Sequence, residues 1–158
     1  MSENWSLELC SLACFLRTMR HDREAREEAC LMLQDVLIVD DQPDIRHVLT
    51  DTLRDAGYRV ITAADGRSAL SVLVSNPHPL VVLLDFMMPG MNGQGMLEVV
   101  VGDAELRVRH AYILMTAMDR IISPALQVLV TELGAPLLRK PFDEDVLLAL
   151  VQKQASRN

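Results

Sequence analysis

Short apolar runs that each end on a polar residue place the tightest constraint on how this chain folds. Residues 36–39, 80–84 and 111–115 are uninterrupted runs, and carboxylates or a hydroxyl follow them directly. Runs of this length without alternation are typical of strands that are buried on both faces of a parallel sheet. Residues 59–63 and 137–138 form shorter or more mixed runs, so we expect these two strands at the edges of the sheet.

Segments with helical periodicity separate the apolar runs. In the clearest one, Ile45–Ala56, apolar side chains recur every three or four residues, and Gly57 is placed to end the helix. Gly134 ends a later segment in the same way, and Asp143 precedes the last segment as a candidate N-cap. Five strand–helix pairs in strict alternation predict an open, doubly wound α/β domain over residues 34–154.

The polar residues that end the runs should meet at one edge of this sheet, because ligands of open α/β sheets bind beyond the carboxyl ends of the strands. The residues at those ends are Asp40, Asp41, Asp85, Thr116 and Lys140. Three carboxylates brought together repel one another, and a hard divalent cation such as Mg²⁺ relieves that repulsion. A carboxylate is also a nucleophile toward phosphorus, while a lysine and a hydroxyl can bind the phosphoryl oxygens. The pattern therefore indicates a site for metal-assisted phosphoryl transfer.

Four motifs on these elements carry a family resemblance. Residues 36–41, 85–93, 116–117 and 140–142 read VLIVDD, DFMMPGMNG, TA and KPF. In this order, they resemble the receiver domain of two-component response regulators, of the single-domain chemotaxis type. The resemblance covers about three quarters of the chain. It implies a flavodoxin-like, five-stranded parallel sheet with the strand order 2-1-3-4-5.

The resemblance also implies a role for each residue of the site. Asp85 corresponds to the residue that accepts the phosphoryl group, and Thr116 and Lys140 correspond to the pair that contacts it. The implied cofactor is Mg²⁺, and its implied ligands are Asp40, Asp41, Asp85 and the backbone carbonyl of Met87. The peptide bond between Lys140 and Pro141 corresponds to one that is cis in this family.

The expected partners follow from the resemblance and from the charge of the chain. The implied phosphoryl donor is a histidine on a sensor kinase or on a histidine phosphotransfer protein. No output domain is recognisable after the last predicted helix, so we expect signalling by contact with a downstream protein target. The net charge of −7 argues against nucleic-acid binding, and no apolar run reaches the roughly 18–20 residues that cross a bilayer. Three cysteines without a CxxC motif fit a reducing compartment, so we expect a cytoplasmic protein that binds neither nucleic acid nor membranes.

Three positions near the site depart from the family pattern or modify it. Receivers usually carry Tyr or Phe three residues before the lysine, and this chain has Leu137 there, which argues against signalling by an aromatic rotamer switch. Met87 and Met118 occupy positions that influence the lifetime of the acyl phosphate in this family. Large apolar side chains there should hinder an attacking water. We therefore expect slow autodephosphorylation, and no enzymatic activity beyond this and self-phosphorylation from the donor.

The first 33 residues have no counterpart in the receiver pattern. An apolar stripe with heptad-like spacing runs along them, formed by Trp5, Leu9, Leu12, Leu16 and Met19. The stripe predicts an amphipathic helix for homodimerisation or for docking on the kinase. Alternatively, translation starts at Met32, which lies shortly before the first apolar run. Residues 1–31 would then lie upstream of the native start. Residues 155–158 are expected to form a short tail.

Two other functions are compatible with parts of the pattern. Haloacid-dehalogenase phosphatases also use a strand-end Asp with Mg²⁺, but they need a second Asp two residues later, where this chain has Met87. A degenerate receiver that acts as a phosphorylation-independent scaffold would require a broken site, and all five strand-end positions are intact.

His47, His78 and His110 have no neighbours in the sequence that suggest catalysis, so we interpret them as surface groups.

Overall fold

Strands and helices alternate along the part of the chain that the computed structural model describes, residues 35–117 and 123–157. The strands are β1 (Asp35–Val39), β2 (Arg59–Ala63), β3 (Leu80–Asp85), β4 (Ala111–Ala117) and β5 (Leu137–Lys140). The helices are α1 (Pro43–Asp55), α2 (Gly66–Ser75), α3 (Gly93–Gly102), α4 (Ala104–Arg109), α5 (Pro124–Leu133) and α6 (Glu144–Ala155). The predicted N-terminal helix and Met118 lie outside the described residues.

The five strands form one parallel sheet in the order β2-β1-β3-β4-β5. This order confirms the predicted flavodoxin-like, doubly wound architecture. β1 and β3 lie inside the sheet, and every residue of β3 is buried, as the uninterrupted run 80–84 predicts. β2 and β5 are the edge strands, and their partial exposure explains why their apolar runs are short and mixed. Within the described residues, no helix is both long enough and apolar enough to cross a membrane.

Alternate residues of each strand feed two separate cores, one on each face of the sheet. Leu37 and Leu84 point to the face that α2, α3, α4 and α5 cover. Ile38 and Leu83 point to the opposite face, which α1 and α6 cover. All four side chains are fully buried, and each contributes about 1.5–3 kcal/mol to folding by leaving water. An interior strand therefore needs apolar residues at every position, and its end is the first place where the chain can carry a charge.

Helix ends follow the sequence signals in most cases but not in all. Gly57 and Gly134 adopt positive φ angles of 90° and 57° within two residues of the ends of α1 and α5, which confirms them as helix stops. Asp143 occupies the N-cap position of α6, but its side chain makes no capping hydrogen bond. The short helix α4 was not predicted. Asp103 caps it by accepting hydrogen bonds from two backbone amides, and Leu106 is its only buried residue, so it has no apolar periodicity to detect.

His110 is buried, and the prediction that it is a surface group is wrong. Its side chain is 3 % exposed and lies between the start of β3 and the end of α2. The amide of Leu80 donates to Nδ1 at 3.2 Å, and Nε2 lies 3.3 Å from the carbonyl oxygen of Leu73. Both bonds form together only when the ring is neutral and carries its hydrogen on Nε2. Burial, the largest effect, lowers the pKa of His110 accordingly.

We expect the buried His110 to make the protein less stable as the pH falls below about 6.5. In the unfolded chain a histidine binds a proton near that pH, whereas the lowered pKa keeps His110 neutral in the folded protein. The unfolded state then binds more protons, so the free energy of unfolding falls with falling pH, by at most about 1.4 kcal/mol per pH unit. Urea unfolding between pH 7 and pH 5.5 should show a smaller loss in His110→Gln than in the wild type or in the exposed control His78→Gln. Equal losses in all three proteins would contradict this assignment.

Candidate functional site

The strand register brings the predicted site residues to one edge of the sheet. Val39 lies beside Leu84 and Ala117 beside Lys140, so the strands end at nearly the same level. The side chains delivered to this edge are those of Asp40, Asp41, Asp85, Thr116 and Lys140. The predicted cluster of three carboxylates is present, because oxygen atoms of Asp40, Asp41 and Asp85 lie within 4.8 Å of one another.

Asp40 is held by hydrogen bonds at each of its polar atoms. Its side chain is fully buried, Oδ1 accepts from the amide of Gln42 at 2.8 Å, and Oδ2 accepts from Nζ of Lys140 at 2.9 Å. Its own amide donates to the carbonyl of Ala63 at 3.3 Å. Its carbonyl accepts from Nη1 of Arg46 at 2.6 Å. The residue therefore has little freedom to reorient without breaking several bonds.

Lys140 bridges two of the carboxylates from the end of β5. Its Nζ lies 2.9 Å from Oδ2 of Asp40 and 3.2 Å from Oδ2 of Asp85. Burial alone would lower the pKa of Lys140, but the hydrogen bond to Asp40 and the charge of Asp85 outweigh it, so the pKa is raised. The lysine therefore stays a cation at neutral pH and offsets part of the negative charge of the cluster. The cis peptide bond between Lys140 and Pro141, implied by the resemblance, is confirmed.

Asp85 ends β3 as a nearly buried carboxylate. Burial, the largest effect, raises its pKa, and the charge of Lys140 counteracts this. The backbone amide of Met87 donates to Oδ1 at 3.3 Å, a long bond that leaves this oxygen weakly engaged. Gly93 sits directly behind, where an added Cβ would lie 2.8 Å from the carbonyl oxygen of Asp85. A nucleophilic oxygen is thus available at the edge of the sheet, and only glycine fits behind it.

Asp41 carries the clearest sign that the cluster could hold a cation. Its Oδ1 is buried and has no hydrogen-bond partner among the residues that the structure describes. Burying an oxygen without a hydrogen-bond partner costs free energy, and the cost is larger when the oxygen belongs to a carboxylate beside two others. A hard divalent cation prefers carboxylate oxygens and would satisfy this atom while offsetting the repulsion among the three groups. The donor set therefore fits a cation of the Mg²⁺ type.

Thr116 and Leu137 lie on the neighbouring strands. Thr116 is buried at the end of β4, and its hydroxyl donates only a 3.4 Å bond to the carbonyl of Ala117, so it can exchange this acceptor for a better one. Leu137 is partly buried and packs against the core that α5 covers. An aliphatic side chain in this position has no hydroxyl or ring edge to present at the surface.

An apolar groove of about 450 Å³ adjoins the site. Its walls come from the first turns of α1 and from the loop after β5, and they are formed by Ile45, Val48, Leu49, Lys140, Pro141 and Phe142. Lys140 therefore lines the groove and also contacts the carboxylate cluster. Val48 is 62 % exposed although it is apolar, so this wall faces solvent. The sequence did not reveal the groove, because its two walls lie about 100 residues apart in the chain.

Comparisons with known proteins show the family to which this chain belongs. The family model of the response regulator receiver domain matches residues 36–152 of this chain. The chain is 38% identical over 120 residues to a probable chemotaxis protein CheY of Rhizobium etli, covering 74% of this chain and 88% of that protein. It is 35% identical to the DNA-binding response regulator MtrA of Mycolicibacterium smegmatis, covering 80% of this chain and 53% of MtrA. The chain spans about half the length of MtrA and of other curated relatives that it matches.

Solved structures are similar in fold as well as in sequence. The chemotaxis protein CheY4 of Vibrio cholerae is 32% identical with a TM-score of 0.65, covering 77% of this chain and 98% of that one. A CheY-like receiver domain of Methanospirillum hungatei is 30% identical with the same TM-score. The match of the family model to most of the chain, together with the strand order and the intact strand-end residues, shows that this chain belongs to the response regulator receiver domain family of two-component signalling proteins.

Proposed function

We propose that Asp85 accepts a phosphoryl group from a phosphohistidine in a Mg²⁺-dependent reaction. The observation that carries this proposal is the arrangement around Asp85: Lys140 bridges it to Asp40, and beside them Asp41 has a buried oxygen without a partner. Such a set combines a nucleophile, a fixed cation and the donor oxygens for a metal. A structural ion pair would need neither the third carboxylate nor the unpartnered oxygen.

The chemistry follows from the placement of the side chains. A carboxylate oxygen of Asp85 forms a bond to phosphorus while the bond from phosphorus to the histidine nitrogen breaks, and the imidazole leaves. Lys140 stays charged and can bind a phosphoryl oxygen, and Thr116 can turn its weakly bonded hydroxyl toward another. Mg²⁺, held by Asp40, Asp41, Asp85 and the carbonyl of Met87, would supply the remaining neutralisation of charge on those oxygens.

Binding of beryllofluoride, which mimics a phosphoryl group on a carboxylate, tests this proposal without a kinase. We expect beryllofluoride to shift amide resonances around Asp85 and Thr116 away from their positions with Mg²⁺ alone, and to leave them unchanged when Mg²⁺ is absent. Asp85→Asn should show no such shift. The same shifts in Asp85→Asn would contradict the assignment of the acceptor, and a wild type that binds neither would favour the phosphorylation-independent scaffold.

The apolar groove beside Lys140 supports a protein as the phosphoryl donor. A phosphohistidine reaches Asp85 only if its own protein covers the edge of the sheet, and the groove offers that protein an apolar surface next to the acceptor. We propose that a helical kinase or phosphotransfer domain docks there through apolar side chains.

Replacing Val48 with Asp should separate donor docking from chemistry. Val48 is 62 % exposed, so the change should not unfold the protein, but it places a charge in an interface that must exclude water. We expect transfer from a kinase or phosphotransfer protein that phosphorylates the wild type to slow by about tenfold or more, since burying an unpaired charge costs over 1 kcal/mol. Phosphorylation by acetyl phosphate should not change. Val74→Asp, on α2 and 67 % exposed, is the matched control, and equal slowing in both variants would contradict docking in the groove.

The side chain of Met87 is expected to protect the acyl phosphate. It lies two residues after the acceptor and is 43 % exposed, and it offers an attacking water no hydrogen bond. Met87→Asn should shorten the half-life of the phosphorylated protein by about tenfold, well below the full contribution of a positioned general base. Val146→Asn, on α6 and 47 % exposed, serves as the control. An unchanged half-life in Met87→Asn would contradict a shielding role.

The output of the phosphorylated state is proposed to be contact with a downstream protein. The net charge of −7 supports this proposal, because an acidic surface is repelled by a phosphate backbone. DNA binding is named for MtrA, of which this chain spans about half. Homodimerisation through residues 1–33 stays a prediction.

A further inference from the structure

Arg46 makes a contact with the site that neither the motif nor the metal cluster explains. Its Nη1 donates to the backbone carbonyl of Asp40 at 2.6 Å, a short bond from a charged donor. Its own backbone is fixed in the first turns of α1, where its amide donates to the carbonyl of Gln42 at 3.1 Å and its carbonyl accepts from the hydroxyl of Thr50 at 2.6 Å. The guanidinium therefore reaches from a rigid helix to the loop that carries two of the carboxylates.

The position of Arg46 is unfavourable unless it serves this contact. The N-terminal end of a helix carries partial positive charge and favours acidic residues such as Asp44, which lies in the same turn. A cation there needs a partner that outweighs the helix dipole. Side chains of a helix point toward its N-terminus, which directs Arg46 to the end of β1. The partly buried Arg46 side chain finds its acceptor at the backbone carbonyl of Asp40, whose side chain belongs to the carboxylate cluster.

We infer that Arg46 is a positioning residue for the cation site: its hydrogen bond to the Asp40 carbonyl fixes the loop from Asp40 to Gln42, so that the carboxylates of Asp40 and Asp41 face Asp85. Asp40 and Asp41 are consecutive, so one peptide unit joins the clamped carbonyl to the backbone of Asp41. The fixed loop lets Asp41 keep a buried, unpartnered oxygen at the site instead of turning it to water. This inference rests on the proposed Mg²⁺ site and adds a residue outside the strand-end motif.

The direction of the effect on Mg²⁺ affinity distinguishes positioning from simple electrostatics. Removing a positive charge near three carboxylates would by itself attract a cation more strongly, so Mg²⁺ would bind more tightly. Losing the bond that orients the ligands should instead weaken binding. We expect the dissociation constant for Mg²⁺ to rise by about tenfold in Arg46→Met, the effect of losing one charge-assisted hydrogen bond. Lys in place of Arg should recover most of the affinity, because the observed bond uses a single N–H.

A titration of amide resonances with Mg²⁺ alone, without any phosphoryl donor, tests the inference. Arg54→Met is the matched control, because Arg54 is an exposed arginine in the last turn of the same helix and its loss changes the net charge equally. Thermal unfolding without Mg²⁺ gives a readout of structural damage: a lower midpoint in Arg46→Met with unchanged Mg²⁺ affinity would overturn the inference. Tighter Mg²⁺ binding in Arg46→Met, or the same constant as in Arg54→Met, would overturn it too. A wild type that binds no Mg²⁺ would instead refute the proposed function on which it rests.

Discussion

Replacing Lys140 with Met should slow phosphoryl transfer from acetyl phosphate to Asp85 by about 10²- to 10³-fold. The lysine is the fixed cation at the site, and its Nζ lies 3.2 Å from Oδ2 of Asp85, within reach of an oxygen of a group bound there. Methionine keeps a chain of similar length and removes the charge. Intact mass as a function of time, at saturating Mg²⁺, measures the rate. Lys153→Met, an exposed lysine in the last turn of α6, is the control that should behave as the wild type.

The same substitution should reduce stability most in the absence of Mg²⁺. Without Lys140 the fully buried carboxylate of Asp40 keeps, among the described residues, only the amide of Gln42 as a donor, and the repulsion among the three carboxylates is no longer offset. Loss of a charged partner in such a setting costs about 1–3 kcal/mol in the free energy of unfolding. Binding of Mg²⁺ should restore part of the lost free energy of unfolding. Unchanged transfer rates in Lys140→Met would show that the lysine is only a structural partner of Asp40.

Replacing Asp41 with Asn should weaken Mg²⁺ binding by about 10²-fold or more. Changes in groups that merely support metal ligands cost 10- to 100-fold in affinity, and Asp41 is itself a predicted ligand whose Oδ1 lacks any other partner. The loss of one carboxylate also relieves repulsion, so the metal-free variant should be more stable than the metal-free wild type. Thermal unfolding with and without Mg²⁺ measures both effects, because a bound ligand stabilises only the folded state.

The matched control for this change is Asp44→Asn in the first turn of α1, an exposed carboxylate three residues from the cluster. We expect Mg²⁺ to raise the melting temperature of the wild type and of this control, and to leave Asp41→Asn unchanged. An equal Mg²⁺-dependent rise in Asp41→Asn would contradict the role of Asp41 as a ligand.

The sequence alone was enough to predict the strands and the polar residues that meet at their ends. Both predictions follow from the requirement that an interior strand be apolar. An interior strand buried on two faces must be apolar throughout, so runs such as 80–84 mark the strands and their ends mark the edge where Asp85 and Lys140 meet. No further sequence signal is needed to bring the polar residues at these strand ends together. The strand order and the cis bond before Pro141 came from the family resemblance, not from periodicity.

Contacts between a side chain and a distant backbone group could not be predicted in the same way. His110 bonds to backbone atoms of Leu80 and Leu73, and Arg46 bonds to the carbonyl of Asp40. Every residue carries such backbone atoms, so the partner has no signature in the sequence. The prediction for His110 failed for this reason. The groove beside Lys140 was missed on similar grounds, because only the folded chain brings its two walls together.

Intact-mass spectrometry tests most directly the claim that Asp85 accepts a phosphoryl group with the help of Mg²⁺. Purified protein and Asp85→Asn are incubated with acetyl phosphate, with Mg²⁺ and with a chelator. We predict the gain of one phosphoryl group in the wild type, only when Mg²⁺ is present, and no gain in Asp85→Asn. Equal gain in both proteins, or a gain in the wild type that the chelator does not prevent, would contradict the claim.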